Sequence, residues 1–209
     1  MRAVLATRNE HKLRELSELL RRVDLEPLPA DVQLPPETGT TFADNALVKA
    51  RVAAIATGLP AIADDSGIEA AALGGAPGVW SARYAGDDAT DEENLEKLMR
   101  EVPPDDRRVS YVCALVYVEP GGREEIVHGR CDGVLAEEQR GSGGFGYDPA
   151  FVPDDLGDGR TMAELDQGEK DAISHRGRAA RALARRLEDL QDADSEAVGR
   201  RIRRRRRLP

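Results

Sequence analysis

The chain is poor in aromatic residues, cysteine and lysine, and each shortage excludes something. Only 4% of its 209 residues are aromatic although 40% are hydrophobic, so a core must be built mainly from Ala, Val and Leu. Two cysteines, Cys113 and Cys131, fit neither a disulfide framework nor a metal-ligand spacing. They flank a hairpin signal at Pro120-Gly121-Gly122 and are read as reduced thiols. No apolar run reaches the ~18 residues needed to span a bilayer. The N-terminus passes straight into an amphipathic pattern with no signal-peptide layout, so the expectation is a cytoplasmic protein with no membrane partner.

Lysine is the most telling shortage. Of 30 basic residues only Lys12, Lys49, Lys97 and Lys170 are lysines. A chain that uses arginine elsewhere keeps the compact ammonium where a mobile point charge is needed, as at a phosphate. The net charge is −9, yet seven arginines crowd positions 200–207, so the remaining body is more acidic still. Such a body repels a nucleic-acid backbone, and a nucleic-acid partner is not expected unless the arginine tail supplies one.

Short apolar runs alternate with helical patterns. Arg2–Ala6 reads as a strand, and Leu13, Leu16, Leu19 and Leu20 mark the stripe of a following helix. Asp24–Leu28 is a second strand, and Thr41–Thr57 is an Ala-rich helix closed by Gly58. Leu59–Ala63 is a strand that delivers Asp64-Asp65-Ser66-Gly67 at its end. Thr90 with Glu93 opens a helix to about Arg100, and Thr161 with Glu164 opens a short one. Val109–Val118 and Glu124–Ala136 pair around the Pro-Gly-Gly turn. Ser174 caps a last helix with Leu183, Leu187 and Leu190 inward. The whole is an α/β fold with a mixed sheet: one domain over residues 1–190, then a disordered arginine-rich tail at 191–209.

Four places could carry chemistry. Thr7, Arg8, Asn9, Glu10, His11 and Lys12 join the first strand to the first helix, where backbone N–H groups can cradle phosphate; simple helix capping by Thr7 or Asn9 is the competing reading. Adjacent carboxylates Asp64 and Asp65 point different ways, so one can hold a magnesium ion while the other orients it, with Glu37 as a further carboxylate. Glycines around Phe145, Gly146, Tyr147 and Asp148 leave a ring open for a purine to stack on. Lys170 and Ser174-His175-Arg176 gather donors at the start of the last helix.

In order and approximate spacing these segments, with Glu37-x-Gly39-x-Thr41-Phe42-x-x-Asn45-Ala46-x-x-Lys49-Ala50 and Gly78-Val79-Trp80-Ser81-Ala82-Arg83-Tyr84, resemble the inosine triphosphate pyrophosphatase family, in its bacterial-type dITP/XTP branch. The resemblance runs from residue 2 to about Leu190. It implies a homodimer, each subunit two lobes around a long mixed sheet with the nucleotide between them. It also implies magnesium-dependent hydrolysis of ITP, dITP and XTP to the monophosphate and pyrophosphate. Asp65 then corresponds to the general base and a metal ligand, and Glu37 to a metal-site carboxylate. Thr7 to Lys12, Lys49 and Ser66 correspond to phosphate contacts, and Phe145 to Asp148, Lys170, His175 and Arg176 to nucleoside contacts. Cys131 stands where many relatives carry a bulky aromatic, and the tail has no counterpart. Two other readings compete: a nucleotide sensor without turnover, which requires disabled carboxylates, and a nucleic-acid binder working through the tail.

Overall fold

A computed structural model describes the backbone of residues 1–205 and the side chains through residue 193. Strand β1 (Arg2–Leu5) leads into helix α1 (Glu10–Leu19), strand β2 (Asp24–Pro27), helix α2 (Phe42–Thr57) and strand β3 (Ala61–Ala70). Helix α3 (Asp91–Glu101), the hairpin β4 (Arg108–Val118) and β5 (Glu124–Leu135), the short β6 (Phe151–Pro153), α4 (Gln167–Ile173) and α5 (His175–Arg205) complete it. The six strands form one sheet in the order β2-β1-β3-β4-β5-β6, with β1 parallel to both neighbours and the rest antiparallel. This is the mixed α/β sheet the sequence pattern predicts. Among the described residues no helix is long and apolar enough to cross a membrane.

Alternation along the strands sorts the core onto two faces. Ala3, Leu5, Ile62 and Leu115 face α1 and α5 and pack on Leu16, Leu20, Ala180 and Leu183. Val4, Ala61, Ala63 and Val116 face α2 and meet its Ala46, Ala50, Ala53 and Ala54. Small alanines let α2 lie close on the sheet, which is how a chain with few aromatics closes its core. A third cluster at the far end of β3 to β5 gathers Ile68, Leu95, Leu98, Tyr111, Phe151 and Met162.

Two expectations need correcting. The Asp64-Asp65 pair lies inside a strand, not at its end, because β3 stays paired with β4 from Ala61↔Val118 to Ala70↔Val109. Only the other neighbour stops: β1 pairs with β3 at Val4↔Ala61 and Leu5↔Ile62 and goes no further. The segment 191–205, expected to be part of a disordered tail, instead continues α5, which runs on to Arg205. No proline lies between Leu190 and Arg205, and the single glycine, Gly199, costs a helix only about 1 kcal/mol. The remaining tail positions, 206–209, and the tail's arginine side chains lie outside the described residues.

The thiols Cys113 and Cys131 are both free and buried. They are not cross-strand partners: Cys113 faces Gly129, and Cys131 faces Tyr111. Cys131 is fully buried in the cluster around Tyr111, so a small residue fills that place without exposing the core.

Candidate active site

The chain turns left and right from β1. It goes by α1 to β2 on one side, then by α2 to β3 on the other, with the two helices on opposite sheet faces. In open α/β sheets a ligand crevice forms beyond the carboxyl end of a strand at which the order reverses. A cavity of about 500 Å³ opens there, bounded by Thr7 and Lys12 after β1, by Asp65, Ser66 and Gly67 of β3, and by the 145–148 loop. Gly67 is required by close approach, because a Cβ there would lie 2.3 Å from Ser81 Oγ. Ser81 in turn accepts from Ile68 N at 2.9 Å, tying the 78–83 turn to the open edge of β3.

The two adjacent aspartates fall on opposite faces. Asp64, on the α5 side, is 1% exposed and lies 3.0 Å from Lys12 Nζ and 3.4 Å from Arg176 Nε. Burial works to raise its carboxyl pKa, but Lys12, Arg176 and Lys49 outweigh burial and hold it well below the usual range. Asp65, on the α2 side, lines the cavity and accepts from Asn45 Nδ2 at 2.9 Å. Burial and the charge of Glu37 raise its carboxyl above the usual range, against Lys49 and Lys12. Lys49 reaches from α2 to Glu37 Oε1 at 2.6 Å and to the Asp64 carbonyl at 2.8 Å. Burial lowers the pKa of its ammonium, yet Asp64, Asp65 and Glu37 leave it raised, hence charged.

A second set of charges lines the nucleoside end. Lys170 binds Glu15 Oε1 at 2.9 Å and Asp148 Oδ2 at 2.8 Å. Asp148 also accepts from Tyr111 Oη at 3.0 Å and from Phe145 N at 3.0 Å. Arg176 binds Glu15 Oε2 and donates to Ser66 Oγ at 2.9 Å. His175 stacks on Tyr111 with centroids 4.6 Å apart, and its buried Nδ1 has no partner. Burial, reinforced by Arg176 and Lys170, pushes the imidazole well below its ordinary pKa, so it is neutral near pH 7. Gly129 allows this placement: a Cβ there would meet the His175 carbonyl at 1.9 Å, so only glycine lets α5 begin so close to β5.

Fifteen of the nineteen residues singled out from the sequence line this one cavity; Glu10, His11, Asp64 and Ser174 do not. Glu10 is exposed in the first turn of α1. His11 instead stacks on Phe145, with centroids 5.0 Å apart. Several roles also shift. Arg8 turns its guanidinium onto the carbonyls of Leu28, Pro29 and Val32, at 2.6–2.8 Å, bracing the loop after β2. Asn9 Oδ1 accepts from His11 N and Lys12 N, so two N–H groups of the phosphate cradle are held by the cap itself. Tyr147 is buried, with its hydroxyl on the Ser81 carbonyl at 2.7 Å, so it pins the loop while Phe145 alone stays half-open. Arg176 is 3% exposed and bound to Asp64, Glu15 and Ser66, which leaves few of its N–H groups for the expected nucleoside contact.

Sequence reasoning missed Glu15, Asn45, Arg83, Asp91 and Tyr111. Glu15 carried a signal, a carboxylate beside Leu16 on the inward stripe of an amphipathic helix. Arg83, whose Nη2 donates to the Glu37 carbonyl at 3.0 Å, and Asn45 lay within quoted motifs without a role. Tyr111 and Asp91 carried none.

The sequence profile of the Ham1 family matches residues 3–186. The dITP/XTP pyrophosphatase of Frankia alni is 52% identical over 202 residues, covering 91% of this chain and 98% of that protein. The dITP/XTP pyrophosphatase of Escherichia coli O157:H7 is 50% identical over 192 residues, covering 87% and 95%. Among solved structures, the HAM1 protein of Coxiella burnetii superposes with a TM-score of 0.82 at 45% identity, covering 90% of this chain and 99% of that one. The nucleoside-triphosphatase, dITP/XTP pyrophosphatase, of Mycobacterium abscessus superposes with a TM-score of 0.70 at 46% identity, covering 88% and 98%.

Proposed function

Because the chain belongs to the Ham1 family, we propose that it hydrolyses the non-standard purine nucleoside triphosphates ITP, dITP and XTP to monophosphate and pyrophosphate. The observation that carries this reading is the cavity at the reversal of strand order, with lysines and a raised carboxyl at one end and a half-open aromatic ring at the other. A triphosphate fits the first and a purine the second.

Magnesium fits the donors present. Glu37 and Asp65 both line the cavity and are close enough that the Glu37 charge raises the Asp65 carboxyl. Among the described residues no cluster of three or more His, Cys, Asp or Glu could hold a metal unaided, which suits an ion that takes its other ligands from phosphates and water. Such an ion, when bound, neutralises charge developing on the leaving pyrophosphate. The chain does the rest. Lys12 and Lys49 add fixed positive charge at the phosphate end. Asp65, held by Asn45, takes the proton of an attacking water, and its raised pKa brings it nearer the basicity that suits a general base at neutral pH. Asp64 keeps Lys12 and Arg176 in place and stays ionised.

The reading extends to a homodimer, as the resemblance implies, and to a cytoplasmic location, as the sequence leads one to expect. The test is pyrophosphate release from ITP, dITP, XTP, ATP and GTP, with sedimentation of the same sample. ITP and XTP should lead ATP by on the order of 100-fold or more, since a site hydrogen-bonding the 6-oxygen leaves polar groups unpaired against a 6-amino group. Equal turnover of all five would defeat the proposal, and so would binding without turnover.

A further inference from the structure

His11 was an expected phosphate contact, but its ring covers Phe145, stacked 24° from parallel. We propose that His11 is a built-in competitor of the purine: it covers one face of Phe145 at the rim of the cavity and swings away when a base stacks on that face. The inference rests on the proposed nucleotide site and names what determines base affinity within it.

Geometry favours competition over a sandwich. Flanking rings must stand about 7 Å apart to admit a third ring, twice the ~3.5 Å at which carbon atoms pack. Here the centroids are 5.0 Å apart. The backbone under His11 cannot retreat easily, because Asn9 Oδ1 accepts from both His11 N and Lys12 N, and Lys12 Nζ is paired with the buried Asp64. Phe145 is equally fixed, its N–H on Asp148 Oδ2 and the next N–H on Asp91 Oδ2. The His11 side chain is exposed and, among the described residues, forms no hydrogen bond, so rotating the imidazole into solvent is the cheapest way to free the ring.

An aromatic pair of this kind shifts an equilibrium by about two- to tenfold. His11→Ala and His11→Gln should therefore bind inosine monophosphate about three- to fivefold more tightly by calorimetry. Binding of pyrophosphate, which has no ring, should stay the same. In a Phe145→Ala background the gain should vanish, because nothing remains to be uncovered. Weaker inosine monophosphate binding in both variants would make His11 a clamp, and unchanged binding would make the stack idle; either overturns the proposal. A parallel change in pyrophosphate affinity overturns it too, by returning His11 to the phosphate cradle. Absence of ITP turnover in the unaltered enzyme would instead defeat the proposed function, so the two failures are distinguishable.

Discussion

Asp64 and Asp65 are chain neighbours on one strand, yet they live in different chemical worlds. On the α5 face, Asp64 is sealed from water among Lys12 and Arg176 and stays ionised far into acid. On the α2 face, Asp65 opens to the cavity, held by one amide and raised by burial and by Glu37. One residue's shift along a strand exchanges the faces. The site thus separates holding charge from moving protons by using the two sides of β3.

The comparison can be strained in several ways. The largest effect should follow removal of the proposed magnesium: exhaustive chelation should abolish pyrophosphate release, and re-added magnesium should restore it. Full turnover without metal would leave the Glu37 and Asp65 side without its partner.

Next, Asp64→Asn should cost about 3 kcal/mol of stability, because it removes the counter-charge of half-buried Lys12 and leaves buried Arg176 with Glu15 alone. The lowered pKa fixes the sign with pH. Asp64 contributes stability that is fully present above its unfolded value of 3.8 and is lost as pH falls through its lower folded value. Urea unfolding of the wild type should weaken below about pH 4, and in Asp64→Asn this part of the acid dependence should disappear. Unaltered stability would mean that the α5 face carries no structural charge.

Phe145→Ala should raise KM for ITP about tenfold or more, the scale of one base stacked on one aromatic ring. The change in kcat should be smaller, since Phe145 lies away from Asp65 and the phosphate lysines. A pure kcat effect would place the base elsewhere. Smallest of all, deleting Arg200–Pro209 should leave ITP turnover within about a factor of two, because among the described residues no side chain lining the cavity lies beyond Arg176. Collapse of activity would attach the tail to the site.

Much of this was legible in the sequence because it is local. Caps at Thr41, Thr90 and Asn9, the Gly58 stop and the hairpin at 120–122 all follow from neighbours in the chain. What stayed hidden depends on contacts between distant segments. Glu15 meets Lys170 across 155 positions, and Tyr111 meets Asp148 across 37. Periodicity cannot report such pairings. The aspartate pair shows the same limit: an apolar run that turns acidic reads as a finished strand, whereas β3 continues because β4 supplies a full ladder of partners. Arg176 shows it from the other side. Its motif suggested a nucleoside contact, and only the placement of Glu15, Asp64 and Ser66 around it reveals how little of the guanidinium is left over.

The division of labour between the two faces stands or falls on Asp65→Asn. Pyrophosphate release at saturating ITP should fall at least ~100-fold, the scale of losing a general base. Thermal unfolding of the same protein should match or exceed the wild type, because a carboxyl raised by burial gains nothing from being charged in the fold. Turnover within tenfold of wild type in a fully folded Asp65→Asn would contradict the account and move the proton-accepting role away from the α2 face.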